Sequence, residues 1–552
     1  MQQAQTVGEA WLQLLKRRGV DVLFANSGTD FPSIVEGLAR SQALGLPVPR
    51  AVIAPHENAA VSMAHGYAAV TGRAQAVMVH VNVGTANCVA GLLNAERDNV
   101  PMLLAAGRTP ILEQGSVGAR SLNIHWAQEM FDQAGLVRET VRWDYELRDP
   151  AQMAPITERA LALAHSVPRG PVYLSLPREI LAAAPAAVAD GPGFAPVRAL
   201  GPDPAAIVQA AAALAAAEHP LIITSRCGVD HAVPALLAAL AERLGAPVVE
   251  YRPRHMNLAT MHRLHGGFEV SPWLAEADVI LVLDCDVPWI PSLDTVRPGA
   301  VVIQAGEDPL QARYPTRGFA ADITVQASAR LLLAALLAEL GRGSPQGDAA
   351  ARCLALRSRA AVAGPPAEMT MAWVSHCLDR ARAPGSILVN EYPLVRSVMA
   401  TTEPGEFLGS SPSGALGWGL PAALGAKLAA PEREVIAALG DGCHVFANPL
   451  ACHQIAAAEK IAILTVIFNN AGWAAVARAT RAMYPQGFAA KANVMPLTSL
   501  APMPDFARVA EACGLFGRSV ADPAALPGAL AEALDVVRGE GRSAVVDVAC
   551  VG

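Results

Sequence analysis

Short apolar runs alternate with helix-length segments along the whole chain, and this alternation limits the fold more than any other feature. Runs such as VYLSL (172–176), VILVLD (279–284) and EVIAALG (434–440) are largely apolar on both faces. A strand of this kind is typical of a buried parallel sheet, and parallel strands need crossover helices between them. The sequence therefore predicts an α/β protein built from three consecutive open parallel-sheet domains.

Two stretches rich in proline, glycine and alanine separate the alternating segments into three blocks. A chain of 552 residues is also long enough for about three domains of ordinary size. We expect an N-terminal domain at 1–181, a linker at 182–204, a central domain at 205–342, a second linker at 343–368 and a C-terminal domain at 369–552.

Composition argues against several classes of function. A net charge of −7 provides no basic face for nucleic acid. The nine cysteines are scattered without a C-x-x-C pair, which argues against a disulfide framework and favours a reducing compartment. Hydrophobic residues make up 53% of the chain, yet the most apolar run is too short to span a bilayer. We expect a cytoplasmic protein with no nucleic-acid or membrane partner.

Polar residues end two strands of the third block. The sequence G-D-G at 440–442 contains Asp441, and Asn470 follows the next strand after an interval of 26 residues (443–468) and Asn469. Glycines at the start of a helix expose backbone N–H groups that favour a phosphate. An aspartate there would repel phosphate unless a divalent cation lay between them, and carboxylate and amide oxygens suit Mg²⁺. The pattern predicts a site for Mg²⁺ and a diphosphate.

The first block contains a second candidate residue. The segment VIAPHENAAVSMAHGYAAV (52–70) places Glu57 at the start of an alanine-rich helix. A glutamate in a first helical turn is ordinary, because it faces the positive end of the helix dipole. The segment alone leaves both a structural and a catalytic role open.

Together these segments resemble thiamine diphosphate-dependent enzymes of the acetolactate synthase and benzoylformate decarboxylase type, over essentially the whole chain. The resemblance implies a pyrimidine-binding first domain, a central domain and a diphosphate-binding third domain. It implies that Asp441, Asn470 and the carbonyl of Gly472 hold Mg²⁺. Glu57 would lie in an apolar pocket and bond to N1′ of the aminopyrimidine, and Leu416 would lie between the two cofactor rings. Other implied cofactor contacts are Gly440, Gly442, Cys443, His444 and Trp473.

The reaction is indicated by a histidine motif. The pattern H-x-x-x-G-T-x-N, which begins at His80, resembles benzoylformate decarboxylase, where a histidine at this place moves protons at the reacting carbon. The segments NSGTD, WAQEMFDQ and NEYP resemble active-site segments of that decarboxylase or of related carboligases. They imply that Thr29, Gln128 and Tyr392 line the substrate pocket.

Two departures from these enzymes define a divergent branch. The central block has LDCDVPWIPSLD where the decarboxylase carries a second catalytic histidine. The block also lacks the R-F-D-D-R run of acetolactate synthases. Trp289 would shape this region with apolar surface instead.

We therefore expect a thiamine diphosphate- and Mg²⁺-dependent lyase that decarboxylates a 2-oxo acid without oxidation. The alternatives are acetolactate synthase-like carboligation, cleavage of a 2-hydroxy ketone or 2-hydroxyacyl compound, and a cofactor-binding regulatory subunit without turnover. Some relatives hold FAD in the central domain, but no motif here supports it. The resemblance also implies a homodimer or homotetramer, because the first domain of one subunit would face the third domain of another.

Overall fold

The computed structural model describes residues 4–186, 191, 193–341, 349–359, 362, 364–492 and 494–551. The chain forms two compact units, and each is described by itself. The first unit comprises residues 1–197, 410–521 and 531–552; the second comprises 198–409 and 522–530. Parts of both predicted linkers, at 187–190, 192, 343–348, 360, 361 and 363, lie outside the described residues.

The N-terminal part of the first unit contains one parallel sheet. Its strands are β1 (Val22–Ala25), β2 (Arg50–Ile53), β3 (Gln75–Val79), β4 (Met102–Arg108), β5 (Asp144–Glu146) and β6 (Pro171–Pro177), in the order β2-β1-β3-β4-β6-β5. Its helices are α1 (Val7–Arg17), α2 (Pro32–Leu44), α3 (Glu57–Thr71), α4 (Val81–Asn87), α5 (Val89–Arg97), α6 (Ile124–Ala127), α7 (Met153–His165) and α8 (Arg178–Ala182). The inner strands β3 and β6 are buried along their whole length, as their apolar sequences predict.

The second unit contains another parallel sheet. Its strands are β7 (Pro220–Thr224), β8 (Val248–Glu250), β9 (Val279–Leu283), β10 (Val301–Gly306) and β11 (Ile323–Gln326), in the order β11-β10-β9-β7-β8. The unit also holds the parallel pair β12 (Ile387–Glu391) and β13 (Phe407–Gly409). Its helices are α9 (Pro204–Ala216), α10 (Val233–Leu244), α11 (Ser271–Leu274), α12 (Ala329–Leu340), α13 (Ala350–Arg359) and α14 (Met371–Ala381). Helix α13 lies within the stretch predicted as the second linker.

The C-terminal part of the first unit carries the strands of the third block. They are β14 (Val435–Gly440), β15 (Leu464–Asn469), β16 (Phe516–Val520) and β17 (Ala544–Ala549), which pair in parallel in the order β14-β15-β17-β16. Its helices are α15 (Gly419–Ala429), α16 (Asp441–Phe446), α17 (Pro449–Glu459), α18 (Ala474–Met483), α19 (Phe488–Ala492) and α20 (Phe506–Ala512); α21 (Leu526–Asp535) crosses the boundary between the units.

Short 3₁₀ helices cover Ala134–Leu136, Arg138–Thr140, Pro150–Gln152, Cys227–Val229 and Arg396–Val398, and a π-helical turn covers Val536–Glu540. The predicted fold class, three parallel-sheet α/β domains, is confirmed. None of the described helices combines the length and the apolar character needed to cross a bilayer.

Helices α3 and α15 of the first unit pack at backbone contact. A Cβ atom on Gly66 would lie 1.9 Å from the carbonyl oxygen of Ala422, and one on Gly425 would lie 1.9 Å from that of Met63. No side chain fits at either position, so both crossing points require glycine. The contact fixes the helix that begins at Glu57 against the helix that follows the predicted cofactor loop.

Candidate active site

Glu57 lies at the first position of α3, where the chain turns out of an extended His56. Its side chain is buried, with 8% of the residue exposed. The Asn26 side-chain amide donates to Glu57 Oε1 at 2.9 Å, and that of Asn87 donates to Oε2 at 2.9 Å. The sequence predicts an apolar pocket here, whereas the structure supplies two amide donors. These bonds fix the orientation of the carboxylate and give each of its oxygens one donor.

His80 follows strand β3 and is held from both sides of its ring. Its Nδ1 lies 2.5 Å from Oδ1 of Asp30, and its Nε2 lies 3.3 Å from Nε2 of Gln128. The backbone N–H of Val81 donates to the other Asp30 oxygen at 3.3 Å. Because Asp30 is an acceptor, the Nδ1 atom carries the proton, and Nε2 is left to accept from the Gln128 amide.

The hydrogen bond to Asp30 raises the pKa of His80. Burial opposes this shift, and the negative charges of Asp30 and Glu57 add to it. Asp30 itself is only 3% exposed, so its charge acts through little water. An imidazole in this setting can accept and release a proton near neutral pH.

A tight turn lets His80 approach the N-S-G-T-D segment. A Cβ atom on Gly28 would lie 2.2 Å from His80 Nδ1, so any larger residue would displace the ring. Val81, the residue after His80, has a φ of +32°, which is unfavourable for a β-branched residue. Backbone strain of this kind concentrates at functional sites.

The structure brings three of the four predicted pocket residues together in one cleft at the ends of the first-block strands. The residues that line it are Thr29, Asp30, His80, Val81, Arg108, Thr109, Pro110, His125, Gln128 and Arg178. The fourth, Tyr392, belongs to the second unit, where it is 55% exposed and has a φ of +81°.

His125, which sequence reasoning missed, is buried in the wall of this cleft. The Ser121 N–H donates to its Nδ1 at 3.1 Å, so any proton on the neutral ring lies on Nε2. Burial lowers the pKa of His125, and the positive charges of Arg178 and Arg120 lower it further. His125 is therefore a neutral donor at physiological pH.

Asp441 and Asn470 meet at the ends of β14 and β15. The N–H of Gly442 donates to Asp441 Oδ1 at 2.7 Å. The N–H of Gly472 donates both to Asp441 Oδ2 at 3.2 Å and to Asn470 Oδ1 at 3.0 Å. Burial raises the pKa of Asp441, while these backbone bonds oppose the shift. One N–H thus holds a carboxylate and an amide oxygen side by side.

The chemistry of these donors fits Mg²⁺. The Gly472 carbonyl accepts the N–H of Ala474 at 3.0 Å, and a carbonyl oxygen has a second lone pair that can face a cation. Among the residues that the structure describes, no group of three histidine, cysteine, aspartate or glutamate side chains could hold a metal. A cation beside Asp441 would therefore depend on amide, carbonyl and ligand oxygens, as hard cations that bind phosphate commonly do.

The other predicted cofactor residues differ in what their side chains can do. His444 is fully buried, with its ring against Phe506 (centroids 4.8 Å apart) and His453 (5.6 Å), and burial lowers its pKa well below the usual value. It could reach a diphosphate only through its backbone. The ring of Trp473 covers Gly442, because a Cβ there would lie 2.2 Å from the indole, and Cys443 is buried.

Leu416 is half-buried in the bend that precedes α15. Asn94 of α5 holds this bend: its amide donates to the Ala415 carbonyl at 2.8 Å, and its carbonyl group accepts from the Ser413 hydroxyl. Sequence reasoning missed Asn94. The bend is thus positioned by the first block of the same unit.

Comparison with known proteins identifies the domains that carry these residues. Residues 5–136 match the N-terminal TPP binding domain of thiamine pyrophosphate enzymes, residues 207–336 match their central domain, and residues 392–548 match their C-terminal TPP binding domain. The chain is 29% identical to sulfoacetaldehyde acetyltransferase of Rhodobacter capsulatus, over 93% of this chain and 89% of the relative.

Two further relatives carry decarboxylase names. The chain is 30% identical to the "Probable 2-ketoarginine decarboxylase" of Pseudomonas aeruginosa, over 85% of this chain and 83% of the relative. The structure of a 4-hydroxybenzoylformate decarboxylase from Rhodococcus jostii has a similar fold, with a TM-score of 0.79, 24% identity and 99% of each chain covered.

Proposed function

The chain belongs to the family of thiamine pyrophosphate enzymes, and from this premise we propose that it decarboxylates a 2-oxo acid without oxidation. The observation that carries the proposal is the cleft in which His80 is held between Asp30 and Gln128. A histidine whose Nδ1 is fixed by a carboxylate can, once its ring is protonated, deliver a proton from Nε2 to a carbon that has lost its carboxylate.

The residues present suit the cofactor. Asp441, Asn470 and the Gly472 carbonyl would hold Mg²⁺ and, through it, the diphosphate. Glu57 would hydrogen-bond N1′ of the aminopyrimidine, and Leu416 would lie between the rings. The bound cofactor supplies a nucleophilic carbon and an electron sink for the bond that breaks. FAD has no supporting motif in the sequence.

The chain's own groups account for the proton movements. Glu57 would hold and exchange a proton with the pyrimidine of a bound cofactor, while Asn26 and Asn87 keep the carboxylate in place. Release of an aldehyde in place of the CO₂ that leaves requires one proton. His80 Nε2 would deliver that proton and recover another from solvent, with Asp30 stabilising the charged ring.

Carboligation of the acetolactate synthase type is the second candidate. Gln128 lies against His80, at a position where carboligases and lyases of the family carry a glutamine, and one relative is named as an acetyltransferase. In that reaction the carbon that has lost its carboxylate would bond to a second carbonyl compound instead of taking up a proton. Cleavage of a 2-hydroxy ketone or 2-hydroxyacyl compound is the reverse case. A regulatory subunit without turnover is disfavoured, since Glu57, Asp441 and Asn470 are all intact.

The active form would be a homodimer or a dimer of dimers. Apolar side chains on and just after α16 are strongly exposed beside the proposed diphosphate site: Val445, Phe446 and Leu450. A second copy of the chain would cover such a surface. Light scattering of the holoenzyme should report at least two chains, and an active monomer would contradict this. The cytoplasmic location stays a prediction.

The proposal is tested by product analysis. The holoenzyme is incubated with a panel of 2-oxo acids, and CO₂, aldehydes and coupled 2-hydroxy ketones are measured. We expect CO₂ and aldehyde in equal amounts from at least one acid. Coupled product as the main species would favour carboligation instead. No turnover of any acid would contradict both.

A further inference from the structure

Arg178 carries the one charge of the cleft that has no partner among the residues the structure describes. It follows β6 as the first residue of α8 and is half-buried in the cleft wall. It makes no hydrogen bond or ion pair to any described residue. The positive charge of Arg178 nonetheless acts within the cleft, because it contributes to the lowered pKa of His125.

The other charged side chains of the cleft have partners within the protein. Asp30 accepts from His80 and from the Val81 N–H. Arg108 lies 2.6 Å from Glu129 and 3.0 Å from Glu146, and donates to a backbone carbonyl. Arg178 is therefore the charged side chain of the cleft that bonds to no described residue, and an anionic group on the substrate would be a suitable partner for it.

We propose that the substrate is a 2-oxo acid with a second anionic group, and that Arg178 binds this second group. The inference rests on the proposed decarboxylation. An arginine paired with the carboxylate that leaves as CO₂ would stabilise the ground state more than the transition state, because that charge moves into the cofactor. The charge of a second group stays in place throughout the reaction. Arg178 can therefore bind it without slowing the chemical step.

The Arg178 guanidinium can bind several anions of similar shape. A carboxylate, a sulfonate and a phosphonate each offer two oxygens to its fork of donors. One neighbouring donor is neutral: the Nε2–H of His125 belongs to the cleft. The Thr109 hydroxyl is already committed, because it donates to Glu129 at 2.7 Å. Substrate assays must distinguish among these anions.

The kinetic test compares 2-oxo acids that differ only in the charge of the tail. 2-Oxoglutarate and 2-oxoadipate are compared with their terminal amides, and 3-sulfopyruvate and 3-phosphonopyruvate with pyruvate. We expect the wild-type holoenzyme to favour the best dianion over its neutral-tailed match by roughly 10- to 100-fold in kcat/KM, mainly through KM. Arg178→Gln should remove this preference, and Arg178→Lys should retain part of it.

Arg169→Gln is the matched control. Arg169 lies just before β6 (Pro171–Pro177) and Arg178 lies just after it, so the two arginines are at opposite ends of this strand. This variant should keep the preference. Equal wild-type turnover of charged and neutral tails would overturn the inference, as would an equal loss of both in Arg178→Gln.

Calorimetry separates this inference from the proposed reaction. Glutarate and its monoamide lack the 2-oxo group and cannot react, so their binding to the holoenzyme is measured directly, with propane-1,3-disulfonate and its monosulfonate match as a second pair. Tighter binding of at least one dianion, lost in Arg178→Gln, would support an anion site even if no 2-oxo acid is turned over. Equal affinities in both pairs would contradict it even if CO₂ is released.

Discussion

The two regions of the candidate site are built in opposite ways. In the His80 cleft, side chains bond to side chains: Asp30 and Gln128 hold the imidazole from both sides. At the third-block site, backbone N–H groups gather the oxygens of Asp441 and Asn470. In the first region the protein itself bonds both nitrogens of the imidazole. The second region gathers oxygen atoms that a cation could bind together. Substitutions in the two regions should therefore impair different steps of cofactor binding and catalysis.

The largest effect is expected at the third-block site. Asp441→Ala should abolish retention of cofactor and all activity, because the remaining amide and carbonyl oxygens carry too little charge to hold Mg²⁺. Asp441→Asn keeps an oxygen without the charge and should still bind far more weakly than the wild type. Calorimetry with thiamine diphosphate and Mg²⁺ measures both. An unchanged affinity in the alanine variant would refute the metal assignment.

Glu57→Gln should instead retain the cofactor and lose turnover. An amide cannot exchange a proton with N1′, so we expect a loss of about 10⁴-fold, the upper end for general acid–base catalysis. Proton exchange at the reactive cofactor carbon, followed by NMR, should slow in parallel, while calorimetry shows cofactor affinity close to wild type. Exchange at the wild-type rate would contradict the role of Glu57.

His80→Ala should act later in the reaction. We expect turnover to fall by roughly 10²- to 10³-fold while cofactor proton exchange stays intact, because the imidazole handles substrate and product protons only. His65→Ala is the matched control: this histidine is buried against Trp418 and should affect stability alone. If His80→Ala lowered the melting temperature and left turnover per folded site unchanged, His80 would be a core residue.

Asp30→Asn should have a smaller effect that depends on pH. The aspartate raises the pKa of His80, so its loss should move the alkaline limb of the pH–rate profile to lower pH. Turnover at neutral pH should fall by about tenfold. Stability follows the same linkage: the pair stabilises the fold below the pKa of an unfolded histidine, and this contribution disappears as pH rises through the raised folded pKa. Identical pH profiles for variant and wild type would exclude this coupling.

The inner strands could be predicted from the sequence, and several edge strands could not. Buried strands such as β9 (Val279–Leu283) are continuous apolar runs, which can be recognised from the sequence without any other information. The edge strands β5, β11 and β16, which the apolar runs did not indicate, are partly exposed and mix polar with apolar residues. At a sheet edge, pairing with a neighbour determines the strand, and a single segment carries little of that information.

The site shows the same limit. Glu57 and Asp441 could be proposed because each lies in a motif with local meaning. Asp30, Asn26 and Asn87 could not, since their roles arise only when loops distant in sequence meet. Arg178 gave no signal either: an arginine after a strand is ordinary, and only the structure shows that it has no partner among the described residues.

The backbone contact between α3 and α15 has a consequence for laboratory evolution. Through Gly66 and Gly425 it ties together the segments that carry Glu57 and Leu416, whereas Thr29, Gln128 and Arg178 lie outside this helix pair. Random libraries that spare the two glycines and diversify the three cleft positions should yield many folded variants with altered substrate range. Replacing either glycine, even by alanine, would disturb the helix pair on which the conversion of every substrate depends.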